Sequence, residues 1–238
     1  MNTASNKKKI APLPNHIGII MDGNRRWAKR HGLDALEGHF AALKNLHSLL
    51  EYFNEQQIKC VTIFLFSTEN WSRSEDEIKG LFWLFEEALD KEAPYLHQQG
   101  VQLRHLGRLD ELPNSLQAAI KKAVELTKNN TERTISLAIN YGARAEILDA
   151  IRRIIADGIP PQDIDEKLFS SYLYTAGLPD VDLLIRTSGE LRISNFLMWQ
   201  SAYSEFYFTE VLWPDFNKEE FEKALITYSQ RQRRFGGL

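Results

Sequence analysis

The sequence is poor in the features of secreted, membrane-spanning and thiolate-metal proteins. Its 238 residues include one cysteine, Cys60, which excludes an internal disulfide and a thiolate metal site and fits a reducing compartment. We expect Cys60 to pack as a small apolar residue at the start of a strand. No apolar run reaches the roughly 18 residues of a membrane span, and residues 1–15, MNTASNKKKIAPLPN, lack the apolar segment of a signal peptide. The sequence predicts a soluble, cytoplasmic chain.

A strong net charge is also missing. The 29 basic and 32 acidic residues give a formal charge of −3, which argues against bulk attraction to nucleic acid, although local basic clusters can still bind phosphate. Hydrophobic residues make up 43% of the chain, enough for a sizeable core. Because repeats, linkers and low-complexity segments are absent, we expect one domain over residues 13–238 behind a basic, disordered tail, residues 1–12.

Short phosphate-binding motifs are absent as well. The chain has no G-x-x-x-x-G-K-[ST] and no G-x-G-x-x-G motif, and no second aspartate stands beside Asp22 to form a phosphoaspartate site. These absences disfavour kinases, dehydrogenases and phosphatases.

Apolar runs alternate with helical patterns along the chain. The runs predict strands at residues 16–21, 60–67, 101–106, 134–140, 181–186 and 206–211. Helical spacing predicts helices at about 37–56, 75–98, 114–129, 143–156, 165–175 and 217–233. Buried strands separated by helices imply right-handed crossovers and a mainly parallel sheet. The predicted fold class is α/β: a single domain with a mainly parallel six-stranded sheet flanked by helices.

Three strands end in charged, hydroxyl-bearing segments. These are Asp22-Gly23-Asn24-Arg25-Arg26-Trp27 after the first strand, Ser67-Thr68-Glu69-Asn70-Trp71-Ser72-Arg73 after the second, and residues 186–194, RTSGELRIS, after the fifth. Ligands of open parallel sheets bind beyond the carboxyl ends of the strands. Arginine forks match phosphate oxygens, and a glycine lets backbone N–H groups approach an anion. The segments together predict a phosphate site.

An acid among these arginines suggests a bound cation. Magnesium is usually held by one or two carboxylates together with substrate phosphates, and Asp22 and Glu205 are the candidate ligands.

Each residue also has a simpler interpretation. Asp22 alone would most often cap the next helix, and single arginines such as Arg26 or Arg73 are usually solvated surface charges. In the simpler interpretation, Trp27 and Trp71 pack in the core or at its edge, and His39 is a hydrogen-bonded polar residue. The coincidence of three such segments at one edge of the sheet favours the phosphate site.

At these residues the chain resembles the cis-prenyltransferases, typified by undecaprenyl diphosphate synthase. The matching segments are MDGNRRWA at 21–28, Gly38-His39, FSTENWSR at 66–73, and DLLIRTSGELRISNFLMWQSAYSEFYFTEVLWPDF at 182–216. The resemblance runs over roughly residues 12–237. It departs from the family at Ala35, where members commonly carry an arginine.

The resemblance implies a role for each matching residue. Asp22 would bind Mg²⁺ and diphosphate, with Glu205 as a second metal contact, and Asn70 would assist proton removal. The allylic diphosphate would bind at Gly23, Asn24, Arg25, Arg26, Trp27 and His39. The segment Ser67, Thr68, Glu69, Trp71 and Arg73 would order the loop over the substrates. Isopentenyl diphosphate would bind at Arg186, Arg192, Ile193 and Ser194.

The resemblance also implies a reaction and partners. The chain would condense isopentenyl diphosphate onto an allylic diphosphate such as farnesyl diphosphate, making a polyprenyl diphosphate carrier lipid. It would use Mg²⁺, form a homodimer, and touch the inner face of the membrane transiently to release product. Two alternatives remain: a noncatalytic partner subunit of this fold, which would not need the charged residues, and an unrelated phosphosugar enzyme, which would need a polar pocket.

The growing chain of an elongating enzyme needs an apolar cavity. The helix that carries Leu81, Leu84, Phe85 and Ala88 beside the strand VTIFLFS is the candidate wall, and Leu65 stands where its bulk would narrow the cavity. The simpler interpretation is that these residues pack the core.

Overall fold

A computed structural model describes residues 10–231 of the chain. Its centre is a six-stranded sheet in which all neighbouring strands pair in parallel, in the order β3-β4-β2-β1-β5-β6. The strands are β1 His16–Ile20, β2 Cys60–Ser67, β3 Val101–Leu106, β4 Arg133–Tyr141, β5 Leu183–Arg186 and β6 Glu205–Phe208. The prediction of a parallel six-stranded α/β fold is confirmed.

Within residues 10–231, six α-helices lie between the strands and a seventh follows β6. They are α1 Asn24–Arg30, α2 Ala35–Glu55, α3 Glu75–Gln98, α4 Asn114–Thr127, α5 Ala143–Ala156, α6 Glu166–Ser171 and α7 Lys218–Ser229. A 3-10 helix, Thr68–Ser72, separates β2 from α3.

Some predicted boundaries were wrong. The short α1 was not predicted, because its seven residues carry one buried side chain and therefore show no apolar stripe. The helix predicted at 165–175 ends at Ser171, and β6 ends at Phe208 rather than at residue 211. Most of the predicted tail lies outside the described residues, as does the end of the last predicted helix; within the tail, Ile10 packs against the core.

Two apolar clusters cover the two faces of the sheet. The larger one joins β1, β2 and β4 to helices α2, α3, α4 and α7, and the smaller joins the opposite face to Tyr141, Phe196 and Leu197. Every residue of β1 is buried, as expected for a central parallel strand. Between residues 10 and 231, no helix is both long and apolar enough to cross a membrane.

The strand order places a switch point beside β1. From β1 the chain goes to β2 on one side, and later returns to β5 on the other side. The connections therefore diverge above the carboxyl ends of β1, β2 and β5, where open α/β sheets bind ligands. These are the three ends at which the sequence carries its charged segments.

Candidate functional site

A cavity of about 490 Å³ opens at the carboxyl ends of β1, β2 and β5. Its wall is polar at the strand ends and apolar along α2 and α3. The predicted site residues on the wall are Asp22, Asn24, His39, Ser67, Glu69, Asn70, Arg73, Arg186 and Ser194. The apolar side is formed by Ile20, Met21, Ala42, Leu43, Phe64, Leu65, Phe66, Leu81, Leu84 and Phe85. The cavity thus joins a charged end to an apolar end.

Asp22 and Arg186 form the ion pair at the charged end. Nη2 of Arg186 donates to Oδ2 of Asp22 at 2.7 Å, and only 5% of the arginine side chain is exposed. Burial opposes ionisation of the carboxyl, but hydrogen bonds and charge from Arg186, with Ser188 and Arg26, outweigh it, so the pKa of Asp22 lies below its usual value. Asp22 is therefore a carboxylate at neutral pH.

Backbone and hydroxyl contacts hold this pair in place. The N–H of Asp22 is bonded to Oγ1 of Thr187 at 3.0 Å, and the same hydroxyl donates to the Asp22 carbonyl at 2.7 Å. Arg186 donates from Nη1 to the carbonyl of Arg192 and to the hydroxyl of Ser194. The side chains of Asp22 and Arg186 are thus fixed by two adjacent strands.

Glu190 lies between two more arginines. Its carboxylate is 3.4 Å from Nη2 of Arg26 and 2.6 Å from Nη1 of Arg192. Arg26 also donates to the carbonyl and the hydroxyl of Ser188, and lies 3.7 Å from Asp22. About half of each arginine side chain is exposed, so both guanidinium groups remain accessible to an anion.

Two glycines allow the close packing at this edge. Gly23 has φ +105°, and a Cβ there would come within 2.8 Å of Leu212 and 3.0 Å of Ser188. A Cβ on Gly38 would meet the carbonyl oxygen of Asn24 at 2.3 Å. Gly38 therefore lets α2 pack directly on the first turn of α1, which places His39 on the cavity wall.

His39, Arg73 and Glu77 form a second charged group on the wall. Glu77 is 3.4 Å from Nε2 of His39, 3.1 Å from Nη1 of Arg73 and 3.9 Å from Arg25. Burial and the charge of Arg73 lower the pKa of His39, against the opposing effect of Glu77. At neutral pH His39 is uncharged and Arg73 is the cation facing the cavity.

The 3-10 helix after β2 presents Asn70 to the cavity. Oδ1 of Asn70 accepts the N–H of Ser67 at 3.0 Å, which closes the turn. Glu69 accepts from Asn195 at 2.9 Å and from Thr68 at 3.0 Å. The segment is thereby tied both to itself and to the loop that follows β5.

A second, apolar cavity of about 70 Å³ lies behind the first. Leu43, Leu65 and Phe85 border both cavities, and Ala88 of α3 lines only the rear one. The helix and strand predicted as an apolar wall therefore do flank the site. The three shared side chains separate the two spaces.

Several predicted residues do not face the cavity. Gly23, Arg25, Arg26, Thr68, Trp71 and Arg192 lie beside it without forming its wall. Trp27 points away, because its indole donates to Asp215 at 2.8 Å and its ring stacks on His31. Ile193 packs against the smaller apolar cluster. A direct substrate contact by Trp27 or Ile193 is therefore not supported.

Glu205 is separated from Asp22 within the chain. It pairs in register with Leu183 at the amino end of β5, whereas Arg186 and Asp22 lie at the carboxyl end. Three residues of parallel strand span about 10 Å. Glu205 instead pairs with Arg231 at 2.5 Å. A joint metal site of Asp22 and Glu205 from one chain is not formed.

The donor set at the charged end fits Mg²⁺ in one binding mode. Over residues 10–231, His, Cys, Asp and Glu side chains do not gather in groups of three that would hold a metal ion, so a closed protein cage is not available. Asp22 has 30% of its side chain exposed at the cavity. One carboxylate completed by substrate phosphate oxygens is a usual arrangement for Mg²⁺, and Asp22 fits it.

Sequence reasoning missed three residues of the site. Glu77 stands one helical turn after Arg73, and this i,i+4 spacing was the available signal. Ser188 and Asn195 act through contacts to Arg26 and Glu69 from 126 to 162 residues away in the chain. Such long-range contacts have no local signature.

Comparisons with known proteins converge on one family. A family model described as "Putative undecaprenyl diphosphate synthase" matches residues 20–236. An isoprenyl transferase of Heliobacterium mobile is 49% identical over 95% of this chain and 88% of its own length. The crystal structure of lavandulyl diphosphate synthase from Lavandula x intermedia, with dimethylallyl diphosphate, has a TM-score of 0.91 and 40% identity over 94% of this chain and 98% of its own. A probable undecaprenyl diphosphate synthase from Campylobacter jejuni has a TM-score of 0.79 and 34% identity over 94% of this chain and 99% of its own.

Proposed function

Because this chain belongs to the isoprenyl transferase family of undecaprenyl diphosphate synthases, we propose that it elongates an allylic diphosphate with isopentenyl diphosphate. Farnesyl diphosphate is the proposed primer, and a polyprenyl diphosphate carrier lipid such as undecaprenyl diphosphate is the proposed product. The observation that carries the proposal is the joining of a charged end to an apolar end in one cavity.

The charged end suits two diphosphates. Arg26 beside Asp22 supports binding of the allylic diphosphate, while Arg192, on the far side of Glu190, supports binding of isopentenyl diphosphate. Both arginines are exposed and already contact a carboxylate. A diphosphate, with more charge and more acceptor oxygens, would replace Glu190 as their partner.

The reaction requires charge stabilisation on the leaving group. The C1–O bond of the allylic substrate breaks with both electrons leaving on the diphosphate, and the alkene of isopentenyl diphosphate forms the new C–C bond to C1. The resulting cation loses a proton from C2, which gives the new double bond. Arg26 and the N–H groups after Gly23 would stabilise the departing diphosphate. When bound, Mg²⁺ would add charge neutralisation of the diphosphate, held by Asp22.

The position of Asn70 on the cavity wall supports a role in the proton-transfer step. It faces the cavity, and the bond from the Ser67 N–H to its Oδ1 fixes the amide. Because a proton adjacent to a carbocation is very acidic, a weak acceptor is sufficient. Asn70 would assist by orienting the proton toward a diphosphate oxygen or water.

The apolar end supports a growing isoprenoid tail. The tail would extend from the charged end along α2 and α3 toward Leu65 and Phe85, which border the rear cavity. A phosphosugar enzyme would need polar groups there, so the apolar lining argues against that alternative.

Two partner predictions belong to the same proposal. The first is a homodimer; it is supported by β6, the half-buried edge strand whose Phe206 and Phe208 rings stack. In such a dimer, Glu205 of the partner subunit would be the copy that reaches the metal site. The second is transient contact with a membrane during product release. Light scattering coupled to size-exclusion chromatography tests the dimer.

Turnover by the purified chain tests the function against the noncatalytic alternative. A scaffold subunit would show no condensation alone, even though it binds substrate. The charged set Asp22, Arg26 and Arg186 supports catalysis, since a scaffold has no need of it.

A further inference from the structure

Asn140 occupies an irregular position at the carboxyl end of β4. The β2–β4 register passes from Phe66↔Ile139 to Ser67↔Tyr141, so Asn140 is an extra residue in β4. Its φ of +53° is left-handed, a conformation that asparagine tolerates better than most residues. Bulges of this kind re-aim a side chain next to active sites.

The Asn140 side chain is buried and fully hydrogen-bonded. Oδ1 accepts the indole N–H of Trp71 at 2.8 Å, while Nδ2 donates to the Arg108 carbonyl and to Oε2 of Glu111, both at 3.0 Å. The residue is 1% exposed. The reverse amide orientation would set its oxygen against two acceptors and its N–H₂ group against a donor, so the contacts fix one orientation.

The loop after β3 locks the same position from the other side. The N–H of Arg108 donates to the Asn140 carbonyl at 3.1 Å, and a Cβ on Gly107 would meet the Ile139 and Asn140 carbonyl oxygens at 2.3 and 2.6 Å. Arg108 is itself held by Asp149 through two hydrogen bonds. Asn140 therefore belongs to a rigid group that lies outside the wall of the main cavity.

We propose that Asn140 is a positioning residue for the 3-10 segment that carries Asn70. Trp71 is the next residue after Asn70, and its ring packs edge-on against Phe66 and Phe82. The hydrogen bond from Trp71 to Asn140 fixes the rotation of the indole and with it the height of Ser67–Asn70 above the sheet edge. This inference rests on the proposed function, since Asn70 and Ser67 are the groups that it places for the reaction.

Steady-state kinetics of Asn140→Gly, Trp71→Phe and the double variant tests the proposal. Glycine accepts the left-handed backbone but removes the amide, and phenylalanine removes the indole N–H while keeping an aromatic ring. We expect kcat to fall about 10- to 100-fold in each single variant. KM for either diphosphate should change less than about threefold, because Asp22 and Arg186 lie at the carboxyl ends of β1 and β5, away from the 3-10 segment.

The double variant should lose little more than the worse single variant, because both changes remove the same hydrogen bond. Gln57→Gly is the matched control: Gln57 is also left-handed, at φ +60°, but it is exposed and precedes β2 at the opposite end of the sheet. Its kcat should equal that of the wild type. If Asn140→Gly does not fold, Trp71→Phe, which removes the same hydrogen bond from the donor side, carries the kinetic test with the same expected fall.

An NMR measurement separates this inference from the proposed function. The Trp71 indole N–H signal, assigned by its disappearance in Trp71→Phe, should lose protection from hydrogen exchange in Asn140→Gly, whether or not the chain turns over. If the wild-type protein is inactive and Asn140→Gly still loses this protection, the proposed function is overturned and the positioning contact stands. An active wild type with Asn140→Gly at unchanged kcat, or with effects that multiply in the double variant, would overturn the positioning role.

Discussion

Arg186 and Asp22 face each other at 2.7 Å across the carboxyl ends of two adjacent parallel strands, β5 and β1. The arginine is almost fully buried and also donates to Ser194 and to the Arg192 carbonyl. The pair thus fixes a carboxylate at the cavity and links the two proposed diphosphate sites. Arg186 thereby orients Asp22, and both side chains lie on the wall of the cavity.

Replacing Asp22 should therefore abolish turnover while the fold survives. Asp22→Asn keeps an acceptor for Arg186 but loses the negative charge, and Asp22→Ala loses both. We expect kcat to fall at least about 100-fold in each. Asp22→Ala should also lower the melting temperature more than Asp22→Asn, since it leaves Arg186 without its partner.

Asp90→Ala serves as the control for Asp22, because Asp90 lies in an exposed surface pair with Lys122. Its activity and melting curve should match those of the wild type. Turnover by Asp22→Asn comparable to that of the wild type would refute the metal and diphosphate role.

Arg192→Ala should mainly raise KM for isopentenyl diphosphate. Arg192 is exposed and bonded to Glu190, and the diphosphate it is proposed to bind does not leave in the condensation. An interaction made equally in the ground state and the transition state affects KM and not kcat. Steady-state kinetics with each substrate varied in turn checks this; an equal rise in KM for the allylic substrate would reassign Arg192 to the other site.

The fold was predictable from sequence because the strands form continuous apolar runs and the helices carry a strong periodic pattern. The three charged segments were also predictable as a single site, since parallel strands bring their carboxyl ends to one edge. The position of Glu205 was not, because it depends on the register of β6 against β5. The α1 helix was not predictable, because it has one buried side chain and no apolar stripe. The direction of Trp27 was not predictable either, because it depends on a tertiary contact, the bond to Asp215. The bulge at Asn140 has no local sequence signature.

Product length should respond to Leu65 and Ala88. Leu65 is the bulged residue of β2 opposite β4, where the register moves from Phe64↔Ala138 to Phe66↔Ile139, and it separates the two cavities. Leu65→Ala should join the cavities and lengthen the products. Ala88→Phe should fill the rear cavity and shorten them. Mass analysis of the product distribution measures both effects.

Leu116→Ala is the control for these cavity variants, because Leu116 is fully buried on α4 away from both cavities. It should lose about 2–5 kcal/mol of stability with no change in product length. Unchanged lengths in Leu65→Ala and Ala88→Phe, with lowered melting temperatures, would show that those residues only pack the core.

Product release should limit the steady-state rate. Each added isoprene contributes five carbons, worth about 4 kcal/mol of transfer from water at ~0.8 kcal/mol per carbon. Detergent or lipid vesicles should therefore raise the steady-state rate and leave the single-turnover rate unchanged. A steady-state rate that does not respond would mean that chemistry limits turnover.

Acidification below neutral pH should destabilise the fold through its buried histidines. Burial lowers the pKa of His16, His39 and His105, so the folded chain binds fewer protons than the unfolded chain below pH 6.5. The stability gained from the neutral rings is fully present above that pH. For each histidine, the free energy of unfolding declines by about 1.4 kcal/mol per pH unit as the pH falls from 6.5 toward the pKa of that histidine in the folded chain. Urea unfolding at pH 7.5, 6.5 and 5.5 measures the slope.

His105→Gln should reduce that slope by the contribution of one histidine, because it removes one buried neutral ring. His105 contacts the Ile139 carbonyl and lies outside the cavity wall, so the variant leaves the site intact. An unfolding free energy that rises on acidification between pH 6.5 and 5.5 would contradict the assignment of neutral buried rings.

Incubation of the purified chain with Mg²⁺, farnesyl diphosphate and isotopically labelled isopentenyl diphosphate, followed by product mass spectrometry, tests the central proposal most directly. The proposal predicts a series of polyprenyl diphosphates that differ by one C5H8 unit, with one label per added unit and one diphosphate released for each. The proposal would be contradicted if no product of the pure chain carried label, or if the chain condensed the allylic diphosphate without isopentenyl diphosphate.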